Sequence, residues 1–178
     1  MRYLISICFI LFNSLSYAHN GIDTMYVEGG QSYHLSKADS TTLLTPVLTL
    51  GLRHYFYNDS FIQVRANTWS KDGHSATWIG PSVGYRHDTE SKQFFMEGSL
   101  GYGYLTNPDG RYSDGKGALT TNRQFEITLG TGMYVGADSE ITFGIAHLSN
   151  CAKICNRGEE FAPNPGKNWL RLGYGIHF

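Results

Sequence analysis

Alternation of apolar with small or polar residues recurs along this chain, and it constrains the fold more than any other feature. A period of two places every second side chain on one face of a strand, so such a chain builds sheet, not helix. In 43–57, Leu44, Pro46, Leu48, Leu50 and Leu52 alternate with Thr45, Thr49, Gly51 and Arg53. In 61–70, Ile62, Val64 and Ala66 oppose Gln63, Arg65 and Asn67. In 77–87, Ile79, Pro81, Val83 and Tyr85 oppose Gly80, Ser82, Gly84 and Arg86. The pattern returns in 94–104, with Phe94, Met96, Leu100, Tyr102 and Tyr104 against Glu97, Ser99, Gly101 and Gly103. In 123–136, Phe125, Ile127, Leu129, Met133 and Val135 stand against Gln124, Glu126, Thr128, Gly130 and Gly132. With 25–36, 140–149 and 168–178 the alternation predicts eight strands, of which 25–36 is the least regular.

The connections alternate too. Residues 58–60, 88–92 and 137–139 read as short polar turns, while 71–75, 107–122 and 150–167 join strands at the other end, two of them long. Short turns at one end and longer loops at the other describe an outer-membrane barrel. Strands of about ten residues match what a tilted strand needs to cross a bilayer. The expected fold is therefore all-β, an eight-stranded antiparallel transmembrane β-barrel of the bacterial outer membrane. Aromatic and aliphatic side chains would take the lipid face. Glycines would share the lumen with Arg53, Arg65, Arg86, Glu97, Glu126 and Arg171, which would pair and fill it. A soluble lipocalin-type barrel is the rival, but its outer face would then be a Gly-, Ser- and Thr-rich set thinly charged for a soluble surface.

Composition agrees. Charged residues are 16% of the 178, aromatics 14%, and mean hydropathy is −0.28, which excludes a bundle of greasy helices. A net charge of −1 offers no basic footprint for nucleic acid. Abundant aromatics and low charge exclude disorder.

The N-terminus sets the compartment. Met1 and Arg2 precede an apolar run, 4–12, and Ser16-Tyr17-Ala18 supplies a small-x-small site. Residues 1–18 read as a secretory signal peptide cleaved near Ala18, and 19–178 as a single barrel domain. Cys8 lies inside the apolar run, which leaves Cys151 and Cys155 in the mature chain. Either a disulfide or two free thiols fits an exported protein. No other ligand types cluster beside them, and His34, His54, His74, His87 and His177 are scattered, so no metal site is expected.

With both termini in the periplasm, the seventh strand ends at the extracellular rim. There Ile141, Phe143, Ile145, His147 and Ser149 share one face, opposite Thr142, Gly144 and Ala146. His147 and Ser149 would thus face lipid at the depth of the outer leaflet. A serine hydroxyl becomes a useful nucleophile when a base such as histidine stands beside it. His-x-Ser alone is a weak motif, equally readable as two polar residues at a barrel rim.

His147-Leu148-Ser149-Asn150, followed by Asn164-Pro165-Gly166 and a final aromatic strand, resembles the lipid A 3-O-deacylase family (PagL type). The motif covers the C-terminal third, and the architecture covers the whole mature chain. The resemblance implies an outer-membrane barrel whose site lies on its exterior. It would hydrolyse the ester holding the 3-position acyl chain of lipid A in lipopolysaccharide, with no metal or organic cofactor. It implies Ser149 as nucleophile, His147 as general base, Asn164 as an oxyanion donor, and Asn150 as a residue shaping the loop. The orienting acid of the family falls four residues after that second asparagine, and here the position is Asn168. An amide holds an imidazole tautomer but brings no charge to the imidazolium. The chain therefore runs slowly, recruits Glu159 or Glu160 from the loop, or is inactive and structural. A barrel that transfers acyl chains onto lipid A is a third reading. Leu170, Leu172, Tyr174, Ile176 and terminal Phe178 resemble the C-terminal signal read by the barrel-assembly machinery.

Overall fold

The computed structural model describes residues 23–33, 45–57, 59–71, 74–108, 119, 121–150 and 166–178. The signal peptide expected at residues 1–18 therefore lies outside the described residues. Eight antiparallel strands run in chain order: β1 (Asp23–Tyr33), β2 (Pro46–Tyr57), β3 (Ser60–Lys71), β4 (His74–Asp88), β5 (Phe94–Leu105), β6 (Arg123–Tyr134), β7 (Ser139–Ser149) and β8 (Lys167–His177). Each pairs with its neighbour, and β1 pairs with β8, closing the barrel. Closure leaves no edge strand with unpaired backbone, which a bilayer would penalise. The seam is locked by backbone hydrogen bonds in both directions between Asp23 and Phe178.

The expected strands are all present, with shifted ends. The first begins at Asp23, before the apolar alternation starts, because Asp23 and Thr24 pair with His54 and Arg53 across the ladder. The connection expected at 71–75 is tighter: Lys71 pairs with His74, so only Asp72 and Gly73 separate β3 from β4. Asp-Gly is a favoured two-residue hairpin link. Gly136, expected inside the sixth strand, has φ of +81° and belongs to the turn into β7.

Alternation sorts the faces as the sequence predicts. Leu48, Leu50, Val64, Ile79, Val83, Met96, Leu100, Leu129, Phe143 and Leu172 are exposed on the outside. The four arginines Arg53, Arg65, Arg86 and Arg171 are buried within. Arg53, Arg86 and Arg171 converge on Glu97 at 2.8, 2.8 and 3.0 Å. Arg171 also pairs with Glu28, which takes Arg65 at 2.9 Å, and Arg86 also pairs with Glu140. Arg65 stands 3.4 Å from Glu126. Four guanidinium groups thus meet four carboxylates. Such pairing is what lets charge persist away from water.

Toward the long-loop end the lumen changes character. Val47, Trp69, Ala76, Trp78, Leu105, Leu119, Ala146, Leu148 and Trp169 form one apolar cluster. This corrects the expectation that aromatics belong to the lipid face, since all three tryptophans point inward. An eight-stranded barrel must fill its interior with side chains, and indoles supply the bulk. Glycines make the room: a Cβ on Gly80 would stand 2.8 Å from Trp78 Cζ2 and one on Gly103 2.7 Å from Cε2.

Candidate active site

β7 carries the site because its alternation survives to its last residue. Ile141, Phe143 and Ile145 are exposed outward, and His147 and Ser149 continue that parity, half-buried. Between them Leu148 points inward and is fully buried. Two residues on one strand face stand about 6.6 Å apart at Cα, within an imidazole's span.

β8 supplies the third group. Asn168 pairs with His147 in register across the ladder, and Asn168 Oδ1 stands 2.7 Å from His147 Nδ1. An amide oxygen only accepts, so Nδ1–H donates to it, and Nε2 keeps its lone pair as the basic nitrogen. Asn168 has outward parity yet is only 5% exposed. The hydrogen bond is therefore sheltered from competing water. Trp169, its neighbour, turns into the lumen and is fully buried against the apolar tier. The ends of β7 and β8 at the candidate site are thus backed by packed side chains, not by open space.

The outer surface around these groups is divided. On one side Ile127 of β6 pairs with His147, and Leu100 of β5 pairs with Ile127. Phe125 pairs with Ser149, and its ring meets that of Tyr102 with centroids 4.8 Å apart. On the other side Tyr33 of β1 pairs with Asn168, and Gln31 with Leu170. Apolar rings and chains flank Ser149, and polar side chains flank Asn168.

The remaining predicted residues divide. Asn150 follows Ser149 and is half-buried at the end of β7. Asn164, Glu159, Glu160, Cys151 and Cys155 lie outside the described residues. The structure brings His147 together with Asn168, an amide. Among the described residues no three His, Cys, Asp or Glu side chains gather as metal ligands. Of the scattered histidines, His54 meets Asp23 through Nδ1, and His177 meets Thr24 at 3.0 Å and Glu140 at 3.3 Å, all far from β7's outer end.

One contact escaped the sequence reading. Gly166, which leads into β8, has φ of +78°, and a Cβ there would stand 2.6 Å from His147 Cε1. Asn164-Pro165-Gly166 entered the sequence reading only as part of the family motif, and nothing in one dimension placed Gly166 against the imidazole.

Residues 51–177 match the family model described as Lipid A 3-O-deacylase (PagL). No curated protein matches the sequence. Among solved structures, the outer membrane enzyme PagL superimposes with a TM-score of 0.57 at 16% identity, covering 86% of this chain and 98% of its own. Neisserial surface protein A gives a TM-score of 0.57 at 12% identity, covering 90% and 98%. The N-terminal β-barrel domain of Pseudomonas aeruginosa OprF gives 0.54 at 11%, covering 89% and 99%. At these identities the superpositions speak for the barrel alone.

Proposed function

The chain belongs to the lipid A 3-O-deacylase family, and from that premise we propose that it hydrolyses the 3-O-linked acyl ester of lipid A, using Ser149 as nucleophile and His147 as base. It is an outer-membrane barrel, and membership of the family supports lipid A as its substrate class. The single observation that carries the reading is the outward-facing His147–Asn168 pair, held at 2.7 Å, with Ser149 two residues further along β7 on the same face.

The chemistry runs in two halves. His147 Nε2 takes the proton of Ser149 as its Oγ attacks the ester carbonyl, giving a tetrahedral oxyanion. Donors from Asn164 and nearby backbone N–H groups stabilise that oxyanion, typically the largest single catalytic contribution. Collapse breaks the bond to the sugar's 3-oxygen, which leaves with the proton returned from the imidazolium. Water, deprotonated by the same imidazole, then cleaves the acyl-serine and releases the fatty acid. Asn168 keeps Nδ1 protonated throughout, as asparagine does in Cys-His-Asn hydrolases. The lateral approach suits the substrate, because an ester in the outer leaflet is reachable only from the barrel exterior.

Mass spectrometry of lipid A from cells expressing the wild type or Ser149→Ala tests this. Loss of one hydroxyacyl chain with wild type alone is the expected result. Unchanged lipid A with properly assembled wild type would sink it. The second reading, a catalytically silent structural barrel, is favoured by the amide at position 168. It predicts that His147→Ala and Ser149→Ala leave every phenotype intact. A gain of mass would mark an acyltransferase instead. Export by residues 1–18 with cleavage near Ala18, and recognition of Phe178 by the barrel-assembly machinery, complete the proposal.

A further inference from the structure

We propose that Gly166 is a positioning residue: its missing side chain forms the seat that holds the His147 imidazole in its working orientation. This deepens the proposed esterase reading and rests on it. The ring has two edges to restrain. Its Nδ1 edge is tied to Asn168 Oδ1 at 2.7 Å. The adjoining Cε1–Nε2 edge lies against Gly166, where an added Cβ would stand 2.6 Å from Cε1 and 3.2 Å from Nε2. The same Cβ would stand 2.7 Å from the backbone oxygen of Leu148, which the β-ladder holds in place. Neither neighbour can yield cheaply: moving the oxygen breaks strand geometry, and moving the ring breaks its hydrogen bond. Gly166 lies two residues before Asn168, so one short stretch of chain supplies both restraints. Only a glycine meets both demands, since the backbone is also left-handed there with φ of +78°.

Those two demands separate experimentally. Asparagine tolerates a left-handed backbone but carries the offending Cβ, whereas alanine fails on both counts. The full barrel is labelled with ¹⁵N-histidine in detergent micelles, and its esterase rate is read on purified lipopolysaccharide. In the wild type, a proton-proton contact between Gly166 Hα and His147 Hε1 is expected, and its absence would overturn the seat. Gly166→Asn and Gly166→Ala should both keep heat-modifiable migration and displace the His147 nitrogen signals. Both should lower kcat, by about 10²-fold for a displacement near 1 Å, with KM little changed. Wild-type signals and wild-type kcat in Gly166→Asn would overturn the proposal, leaving only a backbone requirement. A wild type that cleaves no ester would sink the esterase reading alone, because the nitrogen signals and the proton contact still decide the seat.

Discussion

His147 and Asn168 face one another across the β7–β8 ladder, 21 positions apart in the chain, with Nδ1 and Oδ1 at 2.7 Å. The pair ties β7 near its end to β8 near its start, at the long-loop end of the barrel. An amide in this place fixes which nitrogen carries the proton, yet would supply no negative charge to the imidazolium of the proposed mechanism. Orientation and charge compensation, which one carboxylate performs together elsewhere, are separated here.

That separation makes Asn168→Asp a gain-of-function test. In a well-studied serine protease the reverse exchange cost about 10⁴ in rate, which sets the ceiling for the gain. A rise of at least about tenfold in kcat/KM on purified lipopolysaccharide is expected, because the added charge favours the state formed in the transition state. Asn168→Leu should lower the rate instead, and equal rates for all three chains would remove Asn168 from the mechanism.

Glu97 is the hub of the charged tier, receiving Arg53, Arg86 and Arg171. Glu97→Gln keeps the shape but leaves three guanidinium groups short of one negative charge. Removing one partner of a buried pair costs about 3–5 kcal/mol. Urea unfolding in lipid vesicles should show a loss of that order, with the outward site unaffected in the folded barrel. A loss below about 1 kcal/mol, the worth of an exposed pair, would mean the lumen is wetter than its packing indicates.

Trp169→Ala probes the apolar tier behind the site. Trp169 is fully buried and its Cδ1 lies 2.7 Å from where a Cβ on Gly30 would be. Truncating a buried tryptophan costs about 3–5 kcal/mol. Since Trp169 adjoins Asn168 on β8, the folded variant should also lose esterase rate at unchanged KM. A stability loss with full activity would separate the tier from the site.

Phe178 is 72% exposed, so its ring contributes little to packing, while its backbone exchanges two hydrogen bonds with Asp23. Replacing it with Ser keeps those bonds and removes the ring. The expected outcome is a smaller heat-modifiable fraction in cells with normal stability after refolding in vitro. Phe178→Tyr should restore assembly. Equal assembly of all three would exclude recognition of the terminal aromatic.

Much of this is legible in the amino-acid sequence alone. Period-two alternation named the strands, and turn composition distinguished the two barrel ends. Parity then put His147, Ser149 and Asn168 on the outward face. The lumen was only half legible: Arg53, Arg65, Arg86, Glu97, Glu126 and Arg171 were expected inside, but Glu28 and Glu140 joined them unannounced. Trp69, Trp78 and Trp169 were missed because parity assigns a face, whereas chemistry alone suggests aromatics prefer lipid. The approach of Gly166 to His147 was not legible because it rests on an atom that glycine lacks.

The amino-acid sequence by itself determined that this chain forms a closed antiparallel sheet and which side chains each face receives, because the strand repeat is two and each residue's parity is local. Only the tertiary structure decided which residues meet. Closure fixes the register between strands, and that register sets Asn168 beside His147, Arg171 between Glu28 and Glu97, and Gly166 against an imidazole. Register is a property of pairs of strands, so no single strand's pattern encodes it.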